Sequence, residues 1–168
     1  MSKIIVVDEN DNEIGVKERS EICSDDIYRV SGLWLTNSKG EILLAQRSFN
    51  KKTEPGKWGP AVNGTVEEGE TYETNIEKEI EEEIGLTGLE LQKSPKHFRD
   101  KVTRKYFTQL FLGTCDVPAE QMKIQKEEVE QVKWFSKEEI RESFQKNPDE
   151  FCSSMRARFK EMGVLDKS

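Results

Sequence analysis

Three cysteines, Cys23, Cys115 and Cys152, are all that the 168-residue sequence holds, and they stand far apart. The number is odd and the spacing fits no metal-ligand pattern, which excludes a disulfide scaffold and points to free thiols in a reducing cytoplasm. One histidine, His97, is present; alone near a strand end it reads as packing or surface. No apolar run reaches membrane-spanning length. The stretch Ile4-Ile5-Val6-Val7 is too short for a signal peptide. No repeat or low-complexity block occurs. Positive charge is also in deficit: the net charge of −7 argues against an extended nucleic-acid footprint and leaves a small anionic ligand possible where local charge opposes the total.

What is present suits one domain, residues 1–168. The hydrophobic fraction is 34% and the charged fraction 35%, but the apolar residues fall in periodic runs, as in a globular chain. Ile4–Val7, the turn cluster at 8–12, and alternating Ile14 and Val16 predict an N-terminal β-hairpin. Strands are expected over 28–36 and 41–47, joined by Asn37-Ser38-Lys39-Gly40. A polar, lysine-rich loop, 48–57, ends in Pro55-Gly56, the central pair of a type II turn, and Trp58 anchors it. Residues 61–66 read as a short extended segment interrupted by Gly64. Tyr72, Ile76, Ile80 and Ile84 make one apolar stripe, so 71–84 is the clearest helix, with Gly85 as left-handed cap and Leu86 folding back on it. Strands follow over 89–98 and 105–115, with a charged turn at 99–104 between them. A polar connection, 117–128, leads to a strand at 129–135. Ser136 and Glu139 form a capping box for a helix to about Gln145. Pro148 opens a last helix to about Met162, closed by Gly163. The order predicts an α+β fold: an α/β/α sandwich on a mixed β-sheet, with an N-terminal β-hairpin and C-terminal helices.

The informative stretch is 64–86. Glu67, Glu68, Glu70, Glu73, Glu77, Glu79, Glu81, Glu82 and Glu83 crowd into it with only Lys78 as countercharge. Like charges three and four apart repel, and acidic groups at a helix C-terminus oppose the macrodipole, each costing about 0.3–1 kcal/mol. A divalent cation removes that cost. Glu79, Glu82 and Glu83 are three and four residues apart, at the edge of the apolar stripe, and hard carboxylate oxygens suit Mg²⁺ or Mn²⁺. The alternative is a solvated acidic face.

The register of Gly64, Glu70, Glu79, Ile80, Glu82, Glu83, Gly85 and Leu86 resembles the Nudix box, with Lys78 where that family has arginine. Lysine keeps the charge but loses the planar fork that orients a neighbouring glutamate. The resemblance implies the sandwich fold and Mg²⁺- or Mn²⁺-dependent cleavage of a diphosphate bond in a nucleoside diphosphate-linked or related small metabolite. It implies Glu79, Glu82, Glu83 and the Gly64 carbonyl as metal ligands. Glu82 or Glu83 is then a candidate base. In other members a loop glutamate before a late strand does this work; Glu127, Glu128 and Glu130 stand in that place, with Glu128 the chosen candidate. Glu70, Lys78 and Gly85 are expected to support the motif structurally.

Ile42–Ser48, Lys51-Lys52-Thr53 and Pro55-Gly56-Lys57-Trp58 are similar to type I isopentenyl diphosphate isomerases and the Nudix hydrolases nearest them. That likeness implies Arg47 and Lys51 as diphosphate-binding groups, and Lys57 is a further candidate; a guanidinium fork and a lysine suit a diphosphate. The isomerases place an essential cysteine where Asn63 stands, which favours hydrolysis over isomerisation. A non-catalytic module that binds a phosphorylated ligand is the remaining alternative, suggested by Lys78 alone. The expected partner is a small diphosphate substrate, with no nucleic-acid polymer and no membrane, in a monomer or homodimer.

Overall fold

The computed structural model describes residues 2–167. Strands β1 (Lys3–Val7) and β2 (Glu13–Glu18) pair antiparallel with Ile5 opposite Val16. The Asp8 carboxylate makes their turn by accepting the Asn10 and Asn12 amides at 2.8 and 2.9 Å. The long strand β3 (Ile27–Thr36) runs parallel to β8 (Arg104–Thr114), in register from Ile27 opposite Lys105 to Thr36 opposite Thr114. The remaining strands are β4 (Ile42–Arg47), β5 (Trp58–Pro60), β6 (Val62–Thr65), β7 (Gln92–Lys101) and β9 (Val129–Phe135). All other pairings are antiparallel, so the sheet is mixed.

Strand alternation sends side chains to two cores. Leu33, Leu35 and Leu43 pack under Ile76, Ile80 and Ile84 of helix α1 (Tyr72–Ile84). Trp34, Ile42 and Leu44 face the other way, onto Ile140 and Phe144 of α2 (Lys137–Lys146) and Phe159 of α3 (Met155–Glu161). The result is the expected α/β/α sandwich; the expected N-cap at Ser136 is present, and Thr71 caps α1 in the same way.

Two local expectations fail for non-local reasons. The charged stretch 99–104 is not a turn. The strands continue through it, pairing Asp100 with Lys105 and Lys101 with Arg104, and only Val102 and Thr103 are left to turn. Cross-strand pairing absorbs the charges that read as turn formers. Pro148 opens only a 3₁₀ turn (Pro148–Glu150), not a continuous helix. Phe151 is buried beside Phe144 and Phe159 and bridges Trp58, and the Cys152 amide donates to the Trp58 carbonyl at 2.8 Å, so the chain is extended at Phe151 and a turn at 153–154 precedes the helix that begins at Met155.

One irregularity opens the site. β3 and β4 pair at a single rung, Thr36 opposite Ile42, and then diverge. β3 takes β6 as its partner, while β4 takes β5 and β9. The split leaves a wedge between the two groups of strands, lined also by the end of α1 and by Cys152 and Ser154.

Candidate active site

The wedge is a cleft of about 650 Å³. Its acidic wall is built by α1. Burial of Ile76, Ile80 and Ile84 fixes the rotation of the helix and turns Glu79 and Glu83 toward the cleft. Gly85, at φ 71°, caps the helix in the left-handed region that glycine enters without strain. The Gln125 amide donates to the Glu83 carbonyl at 3.0 Å, and the Glu128 amide donates to the Gln125 carbonyl at 2.9 Å. These two bonds bring Glu128 up to Glu83. The Ser48 amide then donates to the Glu128 carbonyl at 3.0 Å, which draws in the lysine loop, and Lys51 forms an ion pair with Glu128.

Gly64 of β6 lies directly on α1. A Cβ there would fall 2.4 Å from Glu79 Cγ and 2.9 Å from Asn75 Oδ1. Asn75 is fully buried; its amide nitrogen donates to the Thr65 carbonyl and to Glu70, both at 3.0 Å, while its Oδ1 has no partner. Lys78 sits among three carboxylates, 2.7 Å from Glu70, 3.6 Å from Glu79 and 3.7 Å from Glu67. Against the cost of burial, Lys78 and the Glu67 amide hold the Glu70 carboxyl below the usual range. Lys78 thus stands as a point charge shared between Glu70 and Glu79.

The Glu83 carboxyl is pushed well above the usual range, by burial first and then by Glu79 and Glu128 beside it; Lys51 offsets this only in part. Crowded inward-facing carboxylates need a proton or a cation. The donors are all oxygen, and the Gly64 backbone presses on Glu79, so the residues fit a hard divalent cation. Among the described residues, no three His, Cys, Asp or Glu side chains already stand in a metal-holding arrangement; Glu82 is exposed on the rim. Mg²⁺ keeps several waters and needs only one or two carboxylates, so a closed protein cage is not required.

Arg47 also lines the cleft, held by two bonds to Thr53: Nε to the carbonyl at 3.0 Å and Nη2 to Oγ1 at 3.1 Å. Lys57, Glu127 and Glu130 do not line it, so of the three loop glutamates Glu128 alone reaches the site. His97 stands 3.4 Å from Glu161, outside the cleft. Trp34, Trp58 and Trp134 belong to the cores or pack on them. Asn63 lines the cleft, as does Cys152, whose thiol burial pushes up to about 12.

A second group of lining residues is not visible in the motif. Tyr28 of β3 and Tyr106 of β8 are register partners and stack with centroids 5.5 Å apart at 28°. Arg104 lies over the Tyr106 ring at 5.7 Å, and Arg19, 3.9 Å from Glu67, also lines the cleft. Burial raises the Tyr28 phenol, with Arg104 pulling the other way.

Residues 27–154 match the model of the NUDIX domain. An uncharacterized Nudix hydrolase of Pseudomonas aeruginosa is 29% identical over 133 residues, 79% of this chain and 77% of its own. A prenyl-diphosphate phosphatase of Methanosarcina mazei is 30% identical over 152 residues, 89% and 88% of the two chains. Isopentenyl-diphosphate Δ-isomerases of Klebsiella and Salmonella are also relatives. A crystal structure from Deinococcus radiodurans superposes with a TM-score of 0.75 at 21% identity, covering 86% of this chain and 90% of that one.

Proposed function

Because this chain belongs to the NUDIX domain family and is a hydrolase of diphosphate bonds, we propose that it uses Mg²⁺ or Mn²⁺ to cleave the diphosphate of a small diphosphate-linked metabolite. The observation that carries this reading is the meeting of Glu79, Glu83 and Glu128 in one cleft with Arg47 and Lys51.

Glu79, Glu82, Glu83 and the Gly64 carbonyl would hold the cation. When bound, it supplies charge neutralisation of the diphosphate and acidifies a water. Arg47 and Lys51 bind the phosphate oxygens, and Lys51 exchanges Glu128 for substrate. Glu83 or Glu128 takes the proton of the attacking water. The water oxygen adds to phosphorus as the bridging P–O bond breaks, leaving two phosphate products.

Isomerisation is the weaker reading. Asn63 offers no acid–base thiol, and Cys152, the cysteine that reaches the cleft, is kept protonated by burial.

The test is phosphate or monophosphate release from a panel of diphosphates with Mg²⁺ and with Mn²⁺, in the wild type and in Glu82→Gln and Glu83→Gln. Metal-dependent release that both substitutions abolish, with the fold intact, supports the reading. Full activity in both variants overturns the site.

A further inference from the structure

Beside the cleft, two guanidiniums share one carboxylate. Arg99 of β7 makes a two-pronged pair with Glu161 of α3, Nη1 to Oε2 at 2.7 Å and Nη2 to Oε1 at 2.8 Å. Arg158, also on α3, donates to the same Glu161 Oε1 at 3.1 Å and to the Thr108 hydroxyl of β8 at 3.1 Å. The Arg99 and Arg158 side chains are only 12% and 10% exposed. His97, 3.4 Å from Glu161, can add positive charge but no negative. Two positive charges therefore meet one negative charge, largely out of water. Burial draws the Arg158 guanidinium down to about 10, Glu161 holds it up and Arg99 works against it; at that value it is still charged at pH 7.

The surplus charge borders a hollow of about 30 Å³, which shares Pro60, Asn63, Tyr106 and Ser154 with the cleft. Arg99 and Arg158 both line it, and no carboxylate does. The Arg99 Nε–H is buried with no hydrogen-bond partner among the described residues. A buried donor of this kind calls for a partner. One water needs about 10–15 Å³, so the hollow has room for one or two waters or one ion of halide size, and not for a phosphate. A water would satisfy Nε and leave the second positive charge uncompensated. A monovalent anion answers both.

We propose that this hollow binds one small monovalent anion of chloride size, held by Arg99, Arg158 and the Thr108 hydroxyl. That hydroxyl accepts from Arg158 and keeps its own proton to donate. The anion would tie α3 to β7 and β8. The site is distinct from the carboxylates of α1 and does not depend on the hydrolytic reading.

The test has two readouts on the full chain. Thermal unfolding is followed in sodium chloride and in sodium gluconate at matched ionic strength, so that screening is equal and the bulky anion cannot enter. Chloride at about tenfold excess over its Kd is expected to raise Tm by about 3–6 °C over gluconate. Crystals soaked in sodium bromide are expected to show an anomalous peak in the hollow, within hydrogen-bond reach of Arg99 and Arg158. Arg99→Lys keeps a charge opposite Glu161 but loses the Nε–H, and should weaken chloride binding about tenfold or more. Arg158→Met leaves Arg99 and Glu161 in balance and should remove the chloride effect; it serves should Arg99→Lys fail to fold. Equal Tm in chloride and gluconate, a hollow that holds water and no bromide, or chloride protection unchanged in the variants overturns the proposal. Hydrolysis of diphosphates, found or not, alters neither readout.

Discussion

Gly64 and Glu79 leave no room between them: a methyl group on the glycine would begin 2.4 Å from the glutamate Cγ. The strand backbone thereby sets the position of a carboxylate on the neighbouring helix. Gly64→Ala must push Glu79 aside, because the clash runs along its side chain, from Cγ at 2.4 Å to the carboxylate carbon Cδ at 2.9 Å. Activity should fall about 10- to 100-fold, since displacements near 1 Å cost that much at a positioned group. The overpacking should cost about 1–3 kcal/mol of stability. Steady-state kinetics and urea unfolding on the same preparation check both, and unchanged kcat would count against the contact.

Lys78 holds Glu70 and Glu79 as a shared point charge. Lys78→Arg would add a planar fork able to bond both carboxylates. Apparent Mg²⁺ affinity in the hydrolysis assay should rise, by up to about tenfold. A fall would mean that the cleft is shaped around lysine.

Lys51 and Glu128 are paired across the cleft mouth. Glu128→Gln weakens that pair and leaves Lys51 freer for substrate phosphate. KM should drop while kcat also drops, because a proton acceptor is lost. If kcat were unaffected, the proton would go to Glu83 alone.

Asp11 does not line the cleft. Its side chain, 9% exposed, accepts from Arg29 at 2.7 Å, from the Tyr72 hydroxyl at 2.9 Å and from Lys96 at 2.5 Å. Against the cost of burial, Lys96 and Arg29 hold its carboxyl below the ordinary range. A lowered carboxyl contributes its stability in full above the unfolded value, and loses it as pH falls through the folded one. Asp11→Asn should therefore cost about 2–4 kcal/mol at pH 7. The difference from wild type should shrink as pH falls below about 4. Parallel profiles down to pH 2 would contradict this.

Much of the acidic wall was legible in sequence because it is local. Ile76, Ile80 and Ile84 fix a helix face within thirteen residues, and Glu79 and Glu83 follow from their spacing. Glu128 stands among three neighbouring glutamates that the sequence places alike, and what sets it apart is not local: the Gln125 amide meets the Glu83 carbonyl. The aromatic wall was hidden because Tyr28 and Tyr106 meet only through parallel pairing of distant strands, which leaves no local pattern. Lys57 shares a loop with Lys51, which makes it a candidate by sequence, but it does not line the cleft. The extended segment at Phe151 was likewise set by a partner, Trp58, far away in sequence.

Thermal unfolding of wild type and Glu83→Gln, with and without Mg²⁺, tests most directly whether the crowded carboxylates await a dication. Without metal, Glu83→Gln should be the more stable protein at pH 7, because folding no longer has to bury a carboxyl that burial, Glu79 and Glu128 push well above its usual range. At a hundredfold excess over its Kd, Mg²⁺ should raise the wild-type Tm by about 5–10 °C and the variant's far less. A wild type indifferent to Mg²⁺, or a variant less stable than wild type without it, would contradict the account.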